Sequence, residues 1–112
     1  MAYFMAQVAY TSEAWARMVK DPVSPMDMPD GTVIPIIRRV LGNVETVVGR
    51  WVSFGEYDAV TIFQAPDNVG AGAISMALSA SGNFKVVRTT VLMTVEEGRS
   101  ALKRASQAGP GD

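Results

Sequence analysis

Strand-like and helical segments alternate along this chain in the order β-α-β-β-α-β with one more helix at the C-terminal end, which predicts an α+β domain of the ferredoxin-like class. Two further observations support that class. The strand-like segments are apolar on both faces, as in a sheet covered on both sides, and clusters of turn-forming residues separate the segments. The length of 112 residues suits one domain, expected over residues 1–106 with a flexible tail at 107–112.

The first segment, Tyr3 to Tyr10, is rich in aromatic and β-favouring residues and reads as a strand. Thr11 or Ser12 can then cap a helix, Glu13 to Lys20, whose apolar side is Trp15, Met18 and Val19. Pro22 ends it by forcing the preceding residue out of the α region. Asp21 to Gly31 contains Pro22, Pro25 and Pro29 with Met26 and Met28 between them and reads as a loop. Thr32 can cap a second helix, in which Val33, Ile36, Ile37, Val40, Leu41 and Val44 form one apolar stripe, Arg38 and Arg39 face water, and Gly42-Asn43 gives a stop.

Glu45 to Phe54 and Tyr57 to Ala65 predict a hairpin about Gly55-Glu56, either as a two-residue type II′ turn or as a four-residue loop with the same centre. Both keep one register, with Val52 opposite Ala59 and Arg50 opposite Thr61. Pro66-Asp67 opens a third helix to about Ser81, anchored by Ile74 and Leu78 and otherwise small enough for close approach. Gly82-Asn83 breaks it. Phe84 to Met93 is the fourth strand, and Thr94-Val95-Glu96-Glu97 is a capping box for a last helix to about Ser106.

Composition narrows the chemistry. Cysteine and histidine are both absent, which excludes disulfides, thiolate nucleophiles, Cys/His zinc sites, His-ligated haem and imidazole triads. Ten basic residues against eleven acidic ones leave no electrostatic footprint for nucleic acid or an anionic membrane. The 48% apolar share is too high for disorder. The segment Met1 to Tyr10 is too short and too polar at Gln7 for a membrane span, so a cytoplasmic protein is expected. No Asp-x-Asp-x-Asp loop or glutamate cluster points to a metal, and no cofactor is expected. Gly70-Ala71-Gly72 lacks the third glycine of a dinucleotide fingerprint and lies inside a helix, where packing accounts for it.

What remains as candidate chemistry is Arg, Tyr and carboxylate. Arg50 and Arg88 interrupt apolar strand faces, where a guanidinium needs a partner: either a ligand carboxylate or enolate oxygen, or a salt bridge at a dimer edge. Glu56, Tyr57 and Asp58 offer two carboxylates and a phenol on one hairpin. Glu56 or Asp58 could serve as a base, or the group is a turn with Asp58 capping backbone N–H groups. Gln7 with Tyr3 and Met5, Thr61 with Phe63 and Tyr57, and Trp51 are candidate ligand-lining residues. By alternation, the faces bearing Gln7 and Thr61 are expected to line one cavity, and those bearing Val8, Val60, Ile62, Val87 and Val91 to take the helices. Because helices in this pattern cover one sheet face, the second apolar face asks for another cover, most economically a second copy. Trp15 reads as core and Lys20 as a complement to the helix dipole.

Tyr10-Thr11, Trp15, Met18 to Pro22, Gly49, Phe54 to Asp58, Ala65-Pro66-Asp67, Ser79 to Gly82 and Arg88-Thr89-Thr90 together resemble the GYD domain family, whose Gly-x-Tyr-Asp element is here Gly55, Tyr57 and Asp58. The resemblance spans about residues 3 to 105. The Met- and Pro-rich loop Ser24 to Gly31 departs from it. It implies a homodimer packed sheet to sheet, a dimeric α/β barrel, and no single reaction: proteins of that architecture include cofactor-independent monooxygenases, isomerases, polyketide cyclases, haem enzymes and ligand sensors. The resulting expectation is a cofactor-free homodimer that binds a small apolar, aromatic or polyketide-like molecule, as an isomerase, cyclase or monooxygenase. The alternative is a non-catalytic sensor or assembly module.

Overall fold

The computed structural model describes residues 2–22, 33–43 and 46–109. The loop Ser24 to Gly31, the Thr32 cap, Val44, Glu45 and the last three residues lie outside them. The elements run β1 Ala2–Tyr10, α1 Ser12–Lys20, α2 Val33–Leu41, β2 Val47–Val52, β3 Ala59–Ala65, α3 Asn68–Ala80, β4 Phe84–Leu92 and α4 Val95–Ala108. The four strands form one antiparallel sheet in the order β2-β3-β1-β4, the ferredoxin-like arrangement.

The helix boundaries follow their caps. Thr11 accepts from the Ala14 N–H through its side chain and starts α1; Asp67 does the same for Gly70 and starts α3. Thr94 and Glu97 satisfy each other's backbone N–H groups in a complete capping box. The last helix runs two residues beyond the expected Ser106. The strands of the hairpin are shorter than their apolar runs, because the chain leaves the ladder after Val52. Ser53 N–H bonds the Asp58 carbonyl at 2.8 Å, so Phe54 to Tyr57 make the four-residue loop and the tighter turn does not form. Gly55 has φ +132°, a conformation that a side chain resists.

Strand pairing puts three full rows on the helix-covered face: Val47, Phe63, Phe4 and Val91; Arg50, Thr61, Ala6 and Thr89; Val52, Ala59, Val8 and Val87. The core is built there. Phe4 and Phe63 stack with ring centroids 5.8 Å apart, and Ala14 and Met18 of α1, Val33, Ile34, Ile36 and Ile37 of α2, and Ala71, Ile74 and Leu78 of α3 close over the sheet. Tyr10 sits at the end of β1 between Trp15 and Phe84, with centroids at 5.3 and 5.2 Å, so Trp15 packs, half-buried, against the edge of the core.

The same pairing corrects one expectation. Thr61 and Phe63 belong to the helix-covered face, while Val60 and Ile62 belong to the other, because β3 lies against β1 with Gln7 opposite Val60 and Ala6 opposite Thr61. Thr61 is fully buried beneath the helices and shares no face with Gln7. Both strands are apolar on both faces, so alternation within each left their relative phase open.

α4 is different from the other helices. None of its residues is buried, and it carries the molecule out to a long dimension of 60 Å.

Candidate functional site

The open face of the sheet has its own three rows. Trp51, Val60, Gln7 and Arg88 form one; Gly49, Ile62, Met5 and Thr90 the next; Gln64, Tyr3 and Leu92 the third. It is mainly aliphatic and aromatic, with Gln7 and Arg88 adjacent at mid-sheet. Trp51 is 55% exposed and its indole folds back along β2 onto Gly49, where any Cβ would clash with the ring. Glycine at 49 therefore lets the indole lie flat against the strand.

Tyr57 joins this face from the hairpin loop. Its hydroxyl accepts a hydrogen bond from Arg88 Nη1 at 3.2 Å, reaching from the start of β3 across β1 to the edge strand β4. Ser53 Oγ donates to the Tyr57 carbonyl at 2.8 Å, which holds the loop residue that aims the phenol. That hydrogen bond, then the adjacent Tyr57 and Glu56, keep the Arg88 guanidinium above its ordinary pKa and firmly charged. The arrangement is a cation bonded to a phenol that reaches it over β1, with Gln7 its ladder neighbour on that strand, on a mainly apolar surface. It can hold a single anionic or carbonyl oxygen of an otherwise apolar molecule.

Asp58 does other work. Its Oδ2 accepts from the Tyr10 N–H at 2.9 Å, and its own N–H donates to the Val8 carbonyl at 2.8 Å. The β1–β3 ladder ends at Val8 and Ala59, so the carboxylate takes the place of the next rung for a buried backbone N–H that needs an acceptor. Burial, and then the nearby Asp58 charge, push the Tyr10 phenol up to about 12. Glu56 is exposed at the loop.

Of the candidate residues, Arg88, Tyr57, Gln7, Tyr3, Met5 and Trp51 come together on or beside the open face. Arg50 does not: it pairs with Thr61 on the helix-covered side of edge strand β2. Thr61 and Phe63 are core. No role was assigned from the sequence to Ser53, which braces the loop, or to the Tyr10 N–H, which donates to Asp58. The only hint of Ser53 was its place one residue ahead of the Phe54 to Tyr57 segment.

Among the described residues no group of three or more acidic side chains could hold a metal ion, and no helix is long and apolar enough to cross a membrane.

Comparison with solved structures agrees with the fold. The FFRP-DM1 crystal structure superposes with a TM-score of 0.50 at 11% identity, over 83% of this chain and 100% of that one. Hypothetical protein PHS023 from Pyrococcus horikoshii gives 0.47 at 14% identity over 84% and 92%, and Atu4242 from Agrobacterium tumefaciens 0.46 at 16% over 85% and 94%. No curated protein matches the chain. The family model described as GYD domain matches residues 4–102, nearly the whole chain and all four strands, and the protein belongs to the GYD domain family.

Proposed function

We propose that the open sheet face is the inner wall of a compartment completed by a second copy of the chain, and that the compartment holds a small apolar molecule bearing one carbonyl or carboxylate oxygen. The observation that carries this is the Arg88–Tyr57 hydrogen bond beside Gln7 on a mainly apolar face. A charged guanidinium needs a partner once a second sheet removes its water, and the Tyr57 hydroxyl satisfies only one of its five N–H groups. The ligand oxygen supplies another acceptor. Met5, Ile62, Val60, Tyr3 and Trp51 supply the apolar surround that most of a small ligand occupies.

The same placement suits an enolisable substrate. Arg88 would stabilise the developing oxyanion, and Glu56, on the same loop as Tyr57, is the available base, since the Asp58 carboxylate is committed to the Tyr10 N–H. Isomerisation or cyclisation fits such a site without a cofactor. A sensor that binds and does not turn its ligand over would use the same contacts.

Native mass spectrometry of freshly purified protein tests the binding claim. The expected result is a dimer carrying extra mass from a retained organic molecule, with Arg88→Met still dimeric and the extra mass lost. A dimer whose bound mass is unchanged by Arg88→Met would place the ligand elsewhere. Incubating the extracted molecule with the protein then separates enzyme from sensor by whether product appears.

A further inference from the structure

Among the described residues nothing buries the apolar side of the last helix. Val95 is 80% exposed and Leu102 72%; seven residues apart, they lie on one side of α4 with Gly98 close by. An open groove of about 620 Å³ beside Met93 is lined by the other flank of the helix, with Glu96, Glu97, Ser100 and Arg104 among its residues. No residue of α4 is buried, so Val95 and Leu102 stand uncovered. A second exposed apolar cluster stands at the far corner of the sheet: Trp51 at 55% on the open face and Phe54 at 97% in the hairpin loop. β4 ends level with Tyr3 at one end of β1, whereas the hairpin follows Val52 and Ala59 level with Val8 at the other. As β2 and β4 are opposite edges, roughly 25 Å separates the root of α4 from the hairpin.

We propose that α4 crosses onto a second copy of the chain and seats Val95 and Leu102 on that copy's hairpin at Trp51 and Phe54, twice by two-fold symmetry. This rests on the sheet-to-sheet pairing proposed above and adds the clasp that secures it. Area agrees with the seating. Four strands at 4.8 Å spacing and about 25 Å long give a footprint of roughly 500 Å², short of the about 800 Å² that each partner contributes to a standard interface. A helix of 14 residues is about 21 Å long. Giving one such stripe and receiving another adds roughly 400 Å² per copy on a helix diameter of about 10 Å and closes the gap.

The chain has no cysteine, so introduced thiols report without background. Phe54→Cys and Leu102→Cys are made separately in the full chain, mixed, equilibrated and oxidised with copper phenanthroline, and the products resolved by mass. The expected product is the mixed covalent dimer, with little covalent dimer from either variant alone. Leu102→Asp is expected to weaken the dimer about 100-fold, tenfold at each of two seats. Covalent dimer from Leu102→Cys alone would show α4 packed on its symmetry mate and overturn the seating. A dimer by light scattering that gives no mixed product and is indifferent to Leu102→Asp would overturn the clasp and leave the sheet pairing standing. A wild-type monomer would overturn both.

Discussion

The two faces of one sheet, made by alternate residues of the same four strands, have come to opposite arrangements. On the helix-covered face Phe4, Ala6, Val8, Ala59, Thr61 and Phe63 are each at most 2% exposed, and α1, α2 and α3 supply the contacts. On the open face Met5, Gln7, Val60 and Ile62 are only partly covered, and the Arg88 guanidinium is held by a loop residue, Tyr57, instead of by a helix. The first face explains why the chain folds; the second is where a partner or ligand adds something the chain lacks. Substitutions on the two should therefore separate stability from assembly and binding.

The largest effect is expected in the core. Phe63→Ala removes a fully buried ring stacked on Phe4 and should cost about 3–5 kcal/mol in chemical denaturation. If the loss is under about 1 kcal/mol, the division between the faces fails. Next is Asp58→Ala, which strands the buried Tyr10 N–H and should cost about 1.5–3 kcal/mol without changing the mass of the assembly.

Alkaline titration probes the same corner. The Tyr10 phenol is raised from 10.0 to about 12, so the fold favours the protonated form. Its contribution is intact below pH 10 and is lost as pH rises toward about 12, a fall of about 2–3 kcal/mol. Tyr10→Phe should abolish that fall in a urea series against pH. Arg88→Met on the open face should leave the denaturation midpoint nearly unchanged while ending ligand retention, the opposite pattern from Phe63→Ala. The smallest effect belongs to α4. Its capping box, through the Thr94 N–H and then the Thr94 side chain, lowers the Glu97 pKa, so that contribution is present above the ordinary glutamate range and disappears as pH falls through the lowered value. Helical circular dichroism should show slight acid fraying, and Glu97→Gln should remove its pH dependence.

Much of this was legible in the residues. Strand order followed from the alternation of elements, the Arg50–Thr61 and Val52–Ala59 register from the hairpin centre, and the start of α4 from the Thr94–Glu97 spacing. The phase of β3 against β1 was not, because Val60, Thr61, Ile62 and Phe63 suit either face and only the long-range pairing of Gln7 with Val60 decides. That is why Thr61 and Phe63 were expected in the wrong layer. Asp58 illustrates the same limit: its value to the fold lies in the Tyr10 N–H, 48 positions away, and a short motif carries no trace of that partner. Tyr57 and Arg88, 31 positions apart, were each singled out by chemistry, and only the sheet order explains why they meet.

The claim that unites these points is that the open face is completed by another chain, and the solution mass of wild type and Ile62→Lys tests it most directly. Ile62 lies in the middle row of that face beside Met5. Light scattering should give wild type twice the 12.0 kDa chain mass, and Ile62→Lys a single chain with an unchanged circular dichroism spectrum. A single-chain mass for wild type, or a dimer that Ile62→Lys leaves intact, would contradict the account.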